Sequence, residues 1–233
     1  KHSDPRIDKF VELTPRLYRI GVFFCIFATP IPYPQQDLAL NIEHFMNIHL
    51  LRSHIEKIVP LSDEEFALVA SYFVERSLKK HQFLVRENAL IPYEYWVVSG
   101  LLKVSQTDSS GKEHILQFAM EDWWVSDYQA FFLHKEATLS ITCLEDCQLL
   151  AISYDDKEKL CDELPKINTF VRKKSNMGYI ALQKRILSLL SNDARTRYEQ
   201  FLELYPSLLQ RLPKSLIASY LGVSRETLSR LYS

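Results

Sequence analysis

Residues 214–233 read KSLIASYLGVSRETLSRLYS, and this stretch decides how the rest of the chain divides. Pro213 stands just before it, where a first-turn proline starts a helix, and Leu216, Ile217 and Leu221 recur on one apolar face that stops at Gly222. Glycine at that point takes the left-handed conformation of a tight helix exit. Val223 fills the turn, Ser224 caps a second helix, and Leu228 and Leu231 form its inner side. Ala218 is small enough for the two helices to cross closely, so the segment predicts a helix-turn-helix. At about 100° per residue, Arg225, Ser229, Glu226 and Arg230 lie on the outer face of the second helix, opposite Leu228 and Leu231.

That outer face carries base-reading chemistry. An arginine donates two hydrogen bonds to guanine O6 and N7, and a glutamate accepts one from cytosine N4. Arg225, Glu226, Ser229 and Arg230 are the expected readers of bases in double-stranded DNA. Lys214, Ser215, Ser224 and Thr227 are expected to hold phosphates, contacts that position a helix without specifying sequence.

Charge supports the division. The 233 residues carry a net charge of −1, yet residues 166–233 hold 12 Lys and Arg against 4 Asp and Glu. That segment is therefore +8 and the first 165 residues −9. An acidic body with a basic tail suits a tail that meets a polyanion. Within it, residues 166–191 hold six basic and no acidic side chains, with Phe170, Met177, Ile180, Leu187 and Leu190 near heptad spacing. This predicts one long helix with a self-pairing seam, interrupted only by Gly178.

The acidic body changes texture along its length. Ile48, Leu51, Ile55 and Ile58 mark a helix over 47–59, and Ser62 with Glu65 three residues on forms a capping box for the next, which buries Phe66, Val69, Ala70 and Phe73. From 80 to 153 short runs of Val, Ile, Tyr, Trp and Phe alternate with turn residues. They predict antiparallel strands at 82–86, 95–98, 101–106, 113–118, 138–144 and 148–153, with a hairpin at 108–111. Such spacing suits a barrel or jelly roll and disfavours a parallel sheet. The fold class is α+β, with residues 46–165 as the β-roll, 166–191 as a dimerisation helix and 192–233 as the helix-turn-helix unit.

Residues 1–45 stand apart. The apolar run 20–28 resembles a signal-peptide core but is too short to span a bilayer, and Pro30, Pro32 and Pro34 follow it. Met46 is the first methionine, so 1–45 reads as an atypical extension. No membrane partner is expected, and four dispersed cysteines without a CxxC pair suit a reducing, cytoplasmic setting. Cys143 and Cys147 read as buried small hydrophobes rather than metal ligands.

Catalytic readings find no support. The five glycines form neither GxGxxG nor a P-loop, the histidines are dispersed, and no GxSxG or HExxH occurs. The acids Asp122 and Asp127 read as surface turn residues. No catalytic residue, metal site or cofactor is assigned.

The order of short helices, an eight-stranded-looking β region, a long basic helix and then LPKSLIASYLGVSRETLSRL resembles the Crp/Fnr family of bacterial transcription regulators over residues 46–233. The resemblance implies a cyclic-nucleotide-binding-type roll, a homodimer, a winged helix-turn-helix and a possible RNA polymerase contact. In nucleotide-binding members, as the resemblance has it, a cassette like GDxxGE and a later arginine hold the cyclic phosphate. The matching stretch here is EDWWVSDYQAFFLHKEATLSITC, with Val125 and Ser126 replacing cassette residues and Ala137 and Thr138 where Arg-Ser is expected. A buried phosphate without its cation and amides is costly, so cyclic AMP is not expected as effector. Trp123, Trp124, Tyr128, Phe131, Phe132 and Thr138 are instead the candidate lining for an unknown small-molecule effector, with core packing the competing reading. The end at Ser233 reads as a truncated recognition helix and wing. The alternative function is an effector-binding roll whose basic tail contacts a protein.

Overall fold

The structure, a computed structural model, describes residues 35–231, with side chains described over 46–230. The run 20–28, the prolines that follow and the ends at Lys1 and Ser233 lie outside the described residues. Helix α1 (Gln35–Glu56) starts earlier than the amphipathic pattern near Met46 suggests, and α2 (Asp63–Ser71) follows. Ser62 caps α2 as the sequence predicts: its Oγ accepts from the Glu65 amide at 3.2 Å while Glu65 Oε2 accepts from the Ser62 amide at 2.7 Å.

Eight strands form two four-stranded antiparallel sheets among the described residues. In chain order they are β1 (Val74–Leu78), β2 (Phe83–Val85), β3 (Tyr93–Ser99), β4 (Leu102–Thr107), β5 (Glu113–Ala119), β6 (Trp124–Val125), β7 (Ser140–Cys143) and β8 (Cys147–Ser153). One sheet runs β1-β8-β3-β6 and the other β2-β7-β4-β5. Every predicted strand has its counterpart, but β1 and β6 went unread. β1 is an edge strand without a clean alternation, held by its register against β8 from Val74 opposite Ala151 to Leu78 opposite Cys147. β6 has only two residues and follows from long-range pairing with Tyr95 and Trp96.

The aromatic run ends in a short helix, α3 (Tyr128–Leu133), that the sequence reading also lacked. Its cap corrects the view of Asp127 as a surface turn acid. Asp127 is 1% exposed, and its carboxylate accepts from the amides of Ala130, Thr138 and Leu139 and from the Thr138 hydroxyl, at 3.2, 2.8, 3.1 and 3.1 Å. Because Thr138 and Leu139 give their amides to Asp127, β7 begins at Ser140 rather than at 138.

After α4 (Tyr154–Glu163), α5 spans Lys166–Ser191, the stretch the sequence reads as one long helix. Only its first turns are buried, through Ile167 and Phe170, whereas Met177, Ile180, Leu187 and Leu190 are exposed. Helices α6 (Ala194–Leu204), α7 (Leu208–Arg211), α8 (Lys214–Leu221) and α9 (Arg225–Leu231) complete the described chain.

Three apolar clusters hold residues 46–230 together. One joins α1, α2, α4 and the base of α5 to Trp96, Leu150 and Ile152, and a second fills the space between the two sheets. A third seats Tyr198, Phe201, Leu208, Ile217 and Leu228 on Leu101, Ile115 and Phe118 of the roll. No helix among the described residues is long and apolar enough to cross a membrane.

Candidate nucleic-acid interface

The pair α8 and α9 is built from local signals. Pro213, with φ −65° and ψ 146°, is the cap of α8 rather than its first helical residue, so its missing N–H costs the helix nothing. Gly222 closes α8 at φ 67° and ψ 33°, and the Val223 amide returns to Ala218 O at 3.0 Å. Ser224 Oγ accepts from the Thr227 amide at 3.1 Å and so caps α9. Leu228 is fully buried against α8, with Ala218 at 3% exposure where the helices meet.

Burying Leu228 turns the opposite face outward. Arg225, Glu226, Ser229 and Arg230 are all exposed on that face, as are Lys214, Ser215 and Ser224 at the starts of the two helices, while Thr227 is half-buried. Seven of the eight sequence-predicted residues are thus exposed on the two helices or at their starts, and the eighth, Thr227, is half-buried. Backbone hydrogen bonding at the start of α9 and the Ser224 hydroxyl hold the Glu226 carboxyl below its ordinary range, so it stays an acceptor at neutral pH.

Not all of the basic segment belongs to this surface. Arg185 of α5 lies over the Tyr220 ring at 3.5 Å from its centroid and donates to Leu116 O at 3.0 Å, to Ile115 O and to Tyr220 O. Arg197 donates to Leu221 O at 2.9 Å and Asn192 O at 2.6 Å. Arg211 forms paired bonds with both Glu121, at 2.8 and 3.0 Å, and Glu145, at 2.9 and 2.6 Å. Ser219 Oγ adds a bond to Glu113 O at 3.1 Å. Of the twelve cations, Arg185 and Arg197 thus hold the end of α8 and Arg211 ties α7 to the roll. Sequence reasoning missed them because their partners, apart from Asn192, lie 24 to 90 residues away, with no local pattern to mark them.

The six aromatic-run residues do not line one cavity. Trp123 packs edge-on against Tyr205 at 5.9 Å, below the C-terminal helices. Trp124 faces the other way, donating from Nε1 to His54 Nε2 at 3.2 Å within the cluster of Phe73 and Phe170. Phe131 is fully buried, Tyr128 and Phe132 stack at 5.9 Å on the outside of α3, and Thr138 serves Asp127. Strand alternation and helix geometry send neighbouring rings to different faces, which an aromatic count cannot show. The sequence also missed the buried ion pair of Glu94 with Lys157 at 2.6 Å, where the ammonium lies over the Phe131 and Phe132 rings.

Comparison with known proteins agrees with this architecture. Residues 75–163 match the cyclic nucleotide-binding domain. The chain is 28% identical over 99 residues to the anaerobic regulatory protein of Bacillus subtilis strain 168, covering 42% of each chain. It is 24% identical over 150 residues to the cAMP-activated global transcriptional regulator CRP of Haemophilus influenzae, covering 59% of this chain and 66% of that one. The chain thus spans less than two thirds of the length of both relatives. Its fold is that of FixK2 from Bradyrhizobium japonicum, with a TM-score of 0.61 at 18% identity over 69% of this chain and 82% of the other.

Proposed function

We propose that this chain, whose residues 75–163 match the cyclic nucleotide-binding domain, is a homodimeric, sequence-specific DNA-binding regulator of the Crp/Fnr type. The observation that carries this reading is the outer face of α9: Arg225, Glu226, Ser229 and Arg230 exposed above a buried Leu228. In the proposed complex α9 enters the major groove as the second helix of a helix-turn-helix, with arginines on guanines and Glu226 on a cytosine. Lys214, Ser215, Ser224 and Thr227 then meet phosphates on either side.

The long helix supplies the second copy. Met177 and Leu187 are 63% and 54% exposed, and with Ile180 and Leu190 they repeat at the spacing of a coiled-coil seam. A parallel pair of α5 helices covers this stripe and sets two α9 helices related by a two-fold axis. Half-sites about one DNA turn apart follow from that symmetry.

Cyclic AMP does not gate this protein in our reading. A carboxylate of the chain already sits at the start of α3 and takes the amides of Ala130, Thr138 and Leu139. An incoming phosphate would meet that negative charge with no arginine at Ala137 or Thr138 to offset it. The test is selection from a randomised duplex pool. A recovered two-fold symmetric motif supports the proposal, whereas salt-sensitive binding with no enriched sequence refutes it.

A further inference from the structure

Arg185, in the last two turns of α5, joins three elements through one side chain. Its Nε donates to Leu116 O at 3.0 Å and its Nη2 to Ile115 O at 3.4 Å, both on β5, and Nη2 also donates to Tyr220 O in α8. The guanidinium lies over the Tyr220 ring, 3.5 Å from its centroid. That ring is itself fixed, 8% exposed and packed on Phe118 of β5 and Phe201 of α6 at 5.4 and 5.5 Å.

Both ends of this joint favour a cationic donor. β5 is an edge strand, and its register against β4 steps from Gln117 opposite Val104 to Ile115 opposite Ser105, so Leu116 is an inserted residue, and its carbonyl accepts from Arg185. Tyr220 stands in the last turn of α8, where carbonyls lack a partner within the helix and the helix dipole is negative. The Ala218 and Ser219 carbonyls accept from the Val223 and Gly222 amides, Tyr220 O falls to Arg185, and Leu221 O falls to Arg197. Ser188 and Gln200 join α5 to α6 at 2.6 Å, whereas Arg185 joins it to α8, the helix on which Leu228 of α9 is buried.

We infer that Arg185 is the positioning residue that fixes α8, and with it α9, to the long helix, and thereby sets which half-site spacing a dimer of this chain accepts. The inference rests on the proposed reading of α9 as base reader and α5 as pairing helix. Two readers held at a fixed separation accept one spacing, because each added base pair moves a half-site by about 3.4 Å and turns it by about 35° around the duplex. A looser joint lets each α9 follow its own half-site, so spacing fidelity falls while a single half-site is bound as before. Lysine at 185 keeps the charge but gives up the planar fork that stacks on Tyr220 and divides its donors between β5 and α8.

The experiment compares the wild type with Arg185→Lys, each checked by circular dichroism and sedimenting mass. The probes are the selected duplex, versions with the spacer one base pair longer or shorter, and a duplex holding one half-site. With either altered spacer the wild type is expected to lose about tenfold or more in affinity and Arg185→Lys about threefold or less, their half-site affinities agreeing within about twofold. Amide exchange over 214–221, followed without DNA, should be several-fold faster in the variant. Equal spacing penalties for the two proteins, or a variant weakened equally on every duplex, would overturn the spacing role. Unaltered exchange at 214–221 would overturn the joint itself. Should selection recover no two-fold symmetric motif, the base-reading assignment fails and the spacing role with it, while exchange still decides whether Arg185 holds α8. Arg185→Gln, a shorter planar donor without the charge, repeats both readings, so a lysine variant that fails to fold leaves the test intact.

Discussion

Replacing Asp127 by alanine removes an acceptor on which three backbone amides and one hydroxyl converge. The loss is worked group by group. Thr138 is exposed, so water replaces its two lost bonds at little cost, while the Leu139 amide is half-buried and the Ala130 amide lies in the buried first turn of α3. The Ala130 bond is itself the α3 cap, and leaving that buried donor without an acceptor costs about 1–3 kcal/mol, with the half-buried Leu139 amide adding roughly 1 kcal/mol. The expected destabilisation is about 2–4 kcal/mol. Urea unfolding followed by tryptophan fluorescence reads this well, because Trp123 and Trp124 lie just before Asp127. With a slope of about 2–3 kcal/mol per molar urea, the midpoint falls by roughly 1–2 M. Asp127→Asn keeps one acceptor oxygen and should fall about half as far. A midpoint shift for the alanine variant below about 0.3 M would refute the reasoning, since it would mean that the carboxylate is no more than a solvated turn acid.

Other expectations follow from the same geometry. Burial, with Lys174 as the next cause, lowers His54 to about 4 from its ordinary 6.5, so the unfolded chain binds a proton that the folded chain refuses. The stability this contributes is present above pH 6.5 and is lost as pH falls from there toward 4. The wild type should lose roughly 2 kcal/mol more than His54→Phe between pH 7 and pH 5 in paired denaturation curves, and parallel curves would contradict it. Gly100 has φ +102°, and a Cβ there would stand 2.5 Å from Asp146 O, so Gly100→Ala should cost about 3 kcal/mol or more in thermal unfolding. A melting point unchanged by that substitution would show that the β7–β8 turn yields freely. Met177→Glu with Leu187→Glu should halve the sedimenting mass and leave the circular dichroism of the monomer intact, whereas an unaltered mass would place any self-association elsewhere.

What could be read in advance was what depends on neighbours in sequence. The Ser62 capping box, the left-handed Gly222 and the Ser224 cap are each written within a few residues, and each is present. The exposed face of α9 follows from one buried leucine and helical geometry. What escaped needed partners from afar. Strand β1 exists because β8 offers it a register, and Arg211 is a seat rather than a DNA contact because Glu121 and Glu145 lie beside it. Asp127 looked like any turn acid until Thr138 and Leu139 folded over it. The aromatic run misled for a related reason, since Trp123 and Trp124 are adjacent in sequence but pack into different clusters.

The central claim is tested most directly by fluorescence anisotropy on the selected duplex and a scrambled one, comparing the wild type with Arg225→Ala/Arg230→Ala at two salt concentrations. The account predicts that the wild type prefers the selected duplex at both salts. The double variant should lose that preference by about 1–3 kcal/mol for each arginine that reads a guanine, while keeping its salt-dependent affinity for either duplex. Equal discrimination by the wild type and the double variant would contradict the assignment of α9 as the reader.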